Sequence, residues 1–442
     1  MRSKNTPHAI KHKYSIPSPN SSIPIGIEPV IIEGHNHKIN SQANLSLEFF
    51  TNVRLQARVD LSLDEIQALG GSEIHDAEFS VARHPHTNWK ITGFLTDVKA
   101  ILSSVSRQRN QSLVNMTYLT FFVLNFKQFV GSPIRHSTLE RAGRIILGSR
   151  DWKITIDDTP STLDTIRELQ KIGGYGITHV GKLERETGKS FTNVEAQELL
   201  DNLLYFLSFV RGFWTPPILP VGYDNQDQIV WEEIAVPYSH RWEYVYSWFP
   251  TNLNADINSL STLFERFVSL VEDSKWERAL RTVIHWYIEC NILKTAEGSI
   301  VLAQTALELL SWMHFIHDNN SLSHSSFNRM DAADQIGLLF SAVNIPLEIP
   351  QQLTHLSQYA KKNTFEKNHL NGPRAITSIR NTIVHPGKNQ NPPHHDGHIV
   401  VEAKRLILWY LELSILRKLG YSGEYSSRVH DSNDVLVPWA SE

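Results

Sequence analysis

The sequence predicts an α+β chain, a β-rich N-terminal domain followed by an all-α helical bundle, and three observations carry that expectation. Apolar and polar residues alternate with a period of two through much of residues 45–156, most clearly from Leu45 to Val59. Beyond about residues 248–256 the apolar spacing changes to 3.6 and stays there to the end of the chain. The 442 residues, 41% hydrophobic and 20% charged, suit an ordinary globular chain of about two or three domains. Disorder throughout, a collagen-like fibre and a bare coiled coil are excluded.

Residues 1–40 read as a flexible tail. Pro7, Pro17, Pro19, Pro24 and Pro29 interrupt its first part, and it holds no apolar core of signal-peptide length. Residues 41–250 form the β-rich domain. Alternation returns at 77–82 and 152–156, and the aromatic and β-branched stretch 114–130 has the composition of a strand pair or one long bent strand. The expected object is a twisted sheet with one face covered.

Two helices interrupt it. Residues 158–172 begin near Thr159 and Pro160, carry Leu163, Ile166, Leu169 and Ile172 at helical spacing, and stop at Gly173 and Gly174. Residues 194–211 follow a capping pair, Thr192 and Asn193, and are apolar on most faces, which predicts burial against a sheet. Pro216, Pro217 and Pro220 then force extended backbone, and short strands over 229–236 complete the region.

Residues 255–442 form the helical domain. Helices are expected over 260–272, 276–289, 299–318, 329–340, 350–359, 374–385 and 400–419. Trp286, Leu307, Leu310, Leu406, Trp409, Leu413 and Leu416 are the expected core. The longest apolar runs, 118–126 and 199–210, fall short of the roughly 20 residues a membrane helix needs, so no span is predicted.

Charge and cysteine narrow the function. The 42 basic and 46 acidic residues give a formal charge of −4, so the whole chain is no polycation and a nucleic-acid partner must be held locally. Cys290, the single cysteine, can close no intrachain disulfide and build no thiolate cluster, which suits a reducing, cytoplasmic compartment.

One segment gathers chemistry: Arg380, Asn381 and His385, followed by Pro386 and Gly387. An arginine five residues ahead of a histidine is expected about once by chance in such a chain, and roughly 0.07 times once asparagine must follow the arginine. On a helix Asn381 and His385 share a face, whereas Arg380 lies about 140° round from His385, so one copy of the segment converges poorly on a small target. Pro386 disfavours helical backbone at His385, which puts the imidazole at a mouth and not in a core. Arg278, Arg281 and His285 imitate the pattern mid-helix without the asparagine, and His285 reads as packing or hydrogen bonding.

These residue types fit cleavage of an RNA phosphodiester. Histidine exchanges protons near neutral pH, arginine forks two hydrogen bonds onto phosphate oxygens, and asparagine holds either the imidazole or the phosphate. The residues alone equally allow Arg380 to cap or pair with an acid while His385 ends a helix.

The segment resembles the R-N-x-x-x-H signature of the HEPN superfamily, helical domains named for higher eukaryotes and prokaryotes nucleotide-binding. Residues 301–310, with Glu308, and 402–412, with Trp409 and Glu412, resemble its ApeA-like branch, in which the helical domain follows a β-rich region. The resemblance covers roughly residues 255–442. It implies an endoribonuclease that uses no metal or other cofactor, acts as a homodimer through the helical domain and leaves 2′,3′-cyclic phosphate ends. It further implies a role in phage defence, and the N-terminal domain is expected to act as a sensor, an inhibitor or an RNA-positioning module, the first two through a regulatory partner or ligand.

Arg380, Asn381 and His385 match the signature residue by residue, and Glu308 is a further catalytic candidate from the acid some HEPN nucleases use. Glu308 equally reads as a partly buried carboxylate paired with Arg380 or a neighbouring helix. A second class stays open, a catalytically inactive HEPN scaffold that binds nucleic acid or protein.

Weaker signals surround the segment. His394, His395, Asp396 and His398 gather imidazole and carboxylate, but their Pro-rich setting reads as a solvated loop that touches RNA and not as a metal site. Residues 173–176 lack the ending of a phosphate loop and read as a helix stop. The histidine pairs at 35 and 37 and at 84 and 86 read as loop positions, and Trp231, Trp242 and Trp248 as packing. The overall charge conceals a basic strip: over residues 361–388 six basic side chains, Lys361, Lys362, Lys367, Arg374, Arg380 and Lys388, face the one acid Glu366, a local formal charge of +5. Lys367, Arg374, Lys388 and His394 are therefore the expected RNA contacts.

Overall fold

A computed structural model describes residues 6–34, 37–49, 52–59, 61–68, 77–84, 87–96, 99–105, 113–137, 139–234, 237–250, 259–385, 396–430 and 434–440. The chain is α+β as predicted, strands in the N-terminal half and helices in the C-terminal half. It divides into two compact units, Met1–Leu204 with Trp214–Tyr244, and Tyr205–Phe213 with Val245–Glu442.

The first unit holds two large antiparallel assemblies. Strands β1 (Ile23–Gly34), β2 (His37–Glu48), β3 (Arg54–Val59), β4 (Ala77–His84), β5 (Thr87–Thr96) and β6 (Lys99–Val105) close a barrel in the order β1-β2-β3-β6-β5-β4. A short helix, α1 (Leu63–Ala68), lies between β3 and β4 in the chain. Ala43, Leu45 and Leu47 on β2 are buried while Asn44 and Ser46 between them are more exposed, which is the alternation read from the sequence, and Leu55 and Val59 on β3 are buried too. This wall packs on a second sheet through Phe122, Leu124, Ile177, Val180 and Val221.

That sheet has seven strands. Its members are β8 (Tyr118–Leu124), β9 (Ser132–His136), β10 (Leu139–Ser149), β11 (Trp152–Asp158), β12 (Ile177–Arg185), β14 (Pro217–Tyr223) and β15 (Ile229–Glu232), in the order β15-β14-β8-β12-β11-β10-β9. A two-residue pair, β7 (Asn115–Met116) with β13 (Phe191–Thr192), sits beside it in sequence. Helix α2 (Thr162–Ile172) packs on β12 and ends at Gly173, whose φ of 67° only glycine adopts without strain. Helix α3 (Asn193–Arg211) starts in a capping box: the Thr192 hydroxyl accepts from the Glu195 amide at 3.3 Å while Glu195 accepts from the Thr192 amide at 2.8 Å.

The predicted tail is a correction, because residues 7–14 are a strap across this sheet from one edge strand to the other. Pro7 and Ala9 exchange backbone bonds with Arg135 of β9, and the Ile10 amide donates to Asp157 of β11 at 2.8 Å. The His12 ring stacks 3.9 Å from Phe122 of β8 and bonds the Leu219 carbonyl of β14 at 3.1 Å. Lys13 pairs with Glu232 of β15. The segment then returns to Asn20, which brackets Tyr175, before β1 begins. It has no periodicity because it is held by scattered side chains and not by a ladder.

The second unit is a helical bundle. It comprises α4 (Ser259–Val271), α5 (Ser274–Ile292), α6 (Ala296–Trp312), which continues as a π-helical turn Met313–Asp318, then α7 (His324–Phe327), α8 (Ala332–Val343) and α9 (Thr354–Lys362). A hairpin, β16 (Thr364–Phe365) with β17 (Asn368–His369), leads to α10 (Gly372–Val384), then α11 (Gly397–Lys418), and a last hairpin of β18 (Glu424–Ser426) with β19 (Asp434–Leu436). Leu307, Leu310, Leu406, Trp409, Leu413 and Leu416 are buried in it. Trp286 is only half-buried, and the buried aromatic of α5 is its neighbour Tyr287.

The stretch Ala296–Asp318 is long and apolar enough to cross a membrane, although Gln304 and Glu308 interrupt its apolar run. Most of it is buried inside the bundle, where α6 packs on α5, α8, α10 and α11.

Candidate functional site

Helix α10 carries the signature, and local chemistry fixes both of its ends. Asn371 caps it, its side chain accepting from the Arg374 amide at 3.1 Å, and Pro373 occupies the first turn. Gly372 is required there: a Cβ would lie 2.0 Å from the Tyr410 hydroxyl on α11, so a larger residue would push the two helices apart. At the other end His385 leaves helical geometry at φ −126°, ψ 70°, with its amide still donating to the Asn381 carbonyl. The imidazole is exposed, at the mouth predicted from Pro386.

Arg380 is half-buried and faces no acid among the described residues. It donates to the Asn381 side-chain oxygen at 3.3 Å, and its Nε is buried with no hydrogen-bond partner. One turn earlier, the buried Thr377 hydroxyl is also without a partner. Buried polar atoms of this kind are rare in folded proteins and ask for an explanation. Arg380 and Asn381 are therefore brought together, while no hydrogen bond joins either side chain to His385.

Glu308 lies on α6, which packs against α10. It is half-buried and accepts from the buried Gln304 amide at 2.9 Å. It does not pair with Arg380, so that reading of Glu308 is corrected.

One expected RNA contact is charge-paired within the fold. Arg374 is already neutralised, since it pairs with Asp334, lies 3.6 Å from Asp331 and stacks 3.7 Å over the Phe365 ring. Sequence reasoning counted only the acids inside residues 361–388, whereas these two come from the start of α8. Lys367 stays exposed in the two-residue turn of the β16–β17 hairpin, where it and Glu366 both take positive φ. Lys388, His394 and His395 lie outside the described residues, as do the histidine at 86 and that at 35. Asp396 caps α11 by accepting from the His398 amide at 3.0 Å.

The charged centre of the bundle lies elsewhere and was not predicted. Glu412, fully buried on α11, accepts from the Tyr287 hydroxyl at 2.6 Å and from both Nε and Nη2 of Arg428 at 2.8 Å. Arg428 Nη2 also reaches Asn291 at 2.7 Å. Burial alone works against the Arg428 charge, but Glu412 and Tyr287 outweigh it and hold its pKa above the ordinary arginine value. A lone carboxylate inside the apolar run 406–416 was the available signal. The network pins the C-terminal segment to α5 and α11 and offers no open face for a substrate. A separate cleft of about 590 Å³, with Trp409 and Tyr425 in its lining, takes none of the signature residues.

Two family models match parts of the chain. Residues 111–245 match the YopA central domain and residues 273–437 the YopA C-terminal domain. The chain is 32% identical over 359 residues to the SPbeta prophage-derived uncharacterized protein YopA of Bacillus subtilis (strain 168), covering 79% of this chain and 76% of the relative.

The chain belongs to the YopA family.

The YopA central domain spans the seven-stranded sheet with α2 and α3, and the YopA C-terminal domain contains Arg380, Asn381, His385 and Glu308. No solved structure matches the chain.

Proposed function

We propose that the helical unit is an endoribonuclease of HEPN type, in which Arg380, Asn381 and His385 cleave an RNA phosphodiester. The observation that carries this reading is Arg380, a guanidinium with no acid among the described residues and a buried, unpartnered Nε, set beside Asn381 at the end of a helix whose next exposed side chains include His385. A purely structural arginine would be paired, as Arg374 is.

In the proposed reaction the 2′-oxygen attacks phosphorus and the P–O5′ bond breaks, giving a 2′,3′-cyclic phosphate and a 5′-hydroxyl. His385 moves the proton between the oxygens, Arg380 forks onto the non-bridging oxygens, and Asn381 orients one or the other. None of these roles calls for a metal ligand. Because Arg380 lies about 140° round the helix from His385 and no hydrogen bond joins their side chains, we propose that a homodimer pairing two α10 helices supplies the missing half of the site. Glu308 is the candidate acid behind it.

We further propose a cytoplasmic location and a role in phage defence, to which the prophage origin of the Bacillus subtilis relative lends support, with the β-rich unit receiving the regulatory partner or ligand. The runner-up is an inactive scaffold, favoured by the neutralisation of Arg374, which weakens the basic strip. The deciding assay is RNA cleavage in EDTA by wild type, Arg380→Ala and His385→Ala. The proposal expects each variant to lose at least about a hundredfold in rate. Inactive wild type, or variants that cut equally well, overturns it.

A further inference from the structure

A pair of histidines next to the signature has no role in the fold that burial would explain. His355, on the first turn of α9, and His398, on the first turn of α11, stack with ring centroids 4.7 Å apart and planes 15° from parallel, and both are exposed. Their backbones are fixed: Asp396 caps His398, and Glu402 of α11 accepts from the Leu356 amide of α9 at 2.8 Å. Each ring covers the inner face of the other and leaves an outer face to solvent.

Spacing sets the pair beside Asn381. His355 and Tyr359 are four apart and share a face of α9, and the Tyr359 hydroxyl lies 2.8 Å from the Ser378 hydroxyl. Ser378 and Asn381 are three apart and share a face of α10. The α9 face that bears His355 is therefore turned toward the α10 face that bears Asn381. Exposed Lys361 and Lys362 continue α9, with Lys367 in the hairpin beyond. Among the described residues no third His, Cys, Asp or Glu joins the two rings as a cation site would require.

We propose that His355 and His398 form a stacking platform for a nucleobase of single-stranded RNA, beside the nucleotide held by Arg380, Asn381 and His385. The inference rests on the ribonuclease reading. An unpaired base presents a flat π-face whatever its identity, and it extends an existing two-ring stack without desolvating a charge. The neighbouring lysines suit the backbone that carries it.

The test measures binding of a fluorescent uridine-rich oligoribonucleotide, and of the same strand carrying abasic sites, to the full chain with His385→Ala. Adding His355→Ala or His398→Ala is expected to weaken binding of the intact strand roughly 5-fold or more, and to leave binding of the abasic strand unchanged. His355→Phe, which keeps a stacking ring, is expected to restore it. Equal binding by parent and variants, or equal loss on both strands, overturns the platform. If wild type cleaves RNA and the variants bind like the parent, the platform alone falls. If the parent binds no RNA, both readings fall.

Discussion

Arg380 and Arg428 are two half-hidden or hidden guanidiniums in one bundle with opposite situations. Arg428 is saturated by Glu412, Asn291 and the Tyr246 carbonyl, and among the described residues Arg380 hydrogen-bonds only the Asn381 oxygen. Substitution separates the two. Arg428→Ala leaves the Glu412 carboxylate buried and unpaired, and is expected to cost about 3–5 kcal/mol in urea unfolding of the helical unit. Arg380→Lys keeps the charge but removes the planar fork, and is expected to leave stability within about 1 kcal/mol while lowering RNA cleavage at least tenfold. The Arg-Asn-His set was legible because its spacing is improbable. The state of Arg374 was not, because its two acids stand 40 or more positions away and only the tertiary fold brings them near.

At the scale of elements, helices with caps were legible and the strap was not. Thr192 and Asn193 announce the start of α3, Pro386 the end of α10 and Gly173 the end of α2, each by a local rule. The strap obeys none, since its proline-spaced backbone finds partners one strand at a time.

Its acid response follows from His12. The ring accepts from the Tyr14 amide and donates to the Leu219 carbonyl, so it is held neutral, and burial pushes its pKa down to about 4 although backbone bonds to Leu219 and Thr120 work the other way. Burial likewise brings His179, stacked 4.9 Å from Phe129 in the same unit, to about 3. A base whose folded pKa lies below its unfolded value keeps its stabilisation above the unfolded pKa. It loses that stabilisation as pH falls from there to the folded value. His12 alone is therefore expected to remove roughly 3 kcal/mol from the sheet unit between about pH 6.5 and pH 4. Hydrogen exchange reads this directly: the Ala9 and Ile10 amides, bonded to Arg135 and Asp157, are expected to lose protection at pH 4.5 relative to pH 7. Unchanged protection would mean that the strap is not held through His12.

The whole molecule was read correctly in class, β-rich followed by helical, because the change of period from two to 3.6 survives any error at an individual boundary. The boundary itself lies between Tyr244 and Val245, and the end of α3 from Tyr205 belongs with the helices. An apolar helix passes between those assignments without any break in composition. Net charge was the least informative whole-chain quantity, since −4 hides a basic strip that is itself reduced by the acids of α8.

Assembly belongs to this scale too. Light scattering is expected to give twice the mass of one 50.5 kDa chain, and an active monomer would contradict a site completed by a second α10.

The most direct test of the central claim is chemical identification of the cleaved ends. RNA incubated with wild type in EDTA and examined by mass spectrometry is expected to carry 2′,3′-cyclic phosphate and 5′-hydroxyl ends, and none with His385→Ala. Linear 5′-phosphate ends, or cyclic ends produced equally by the variant, would contradict it.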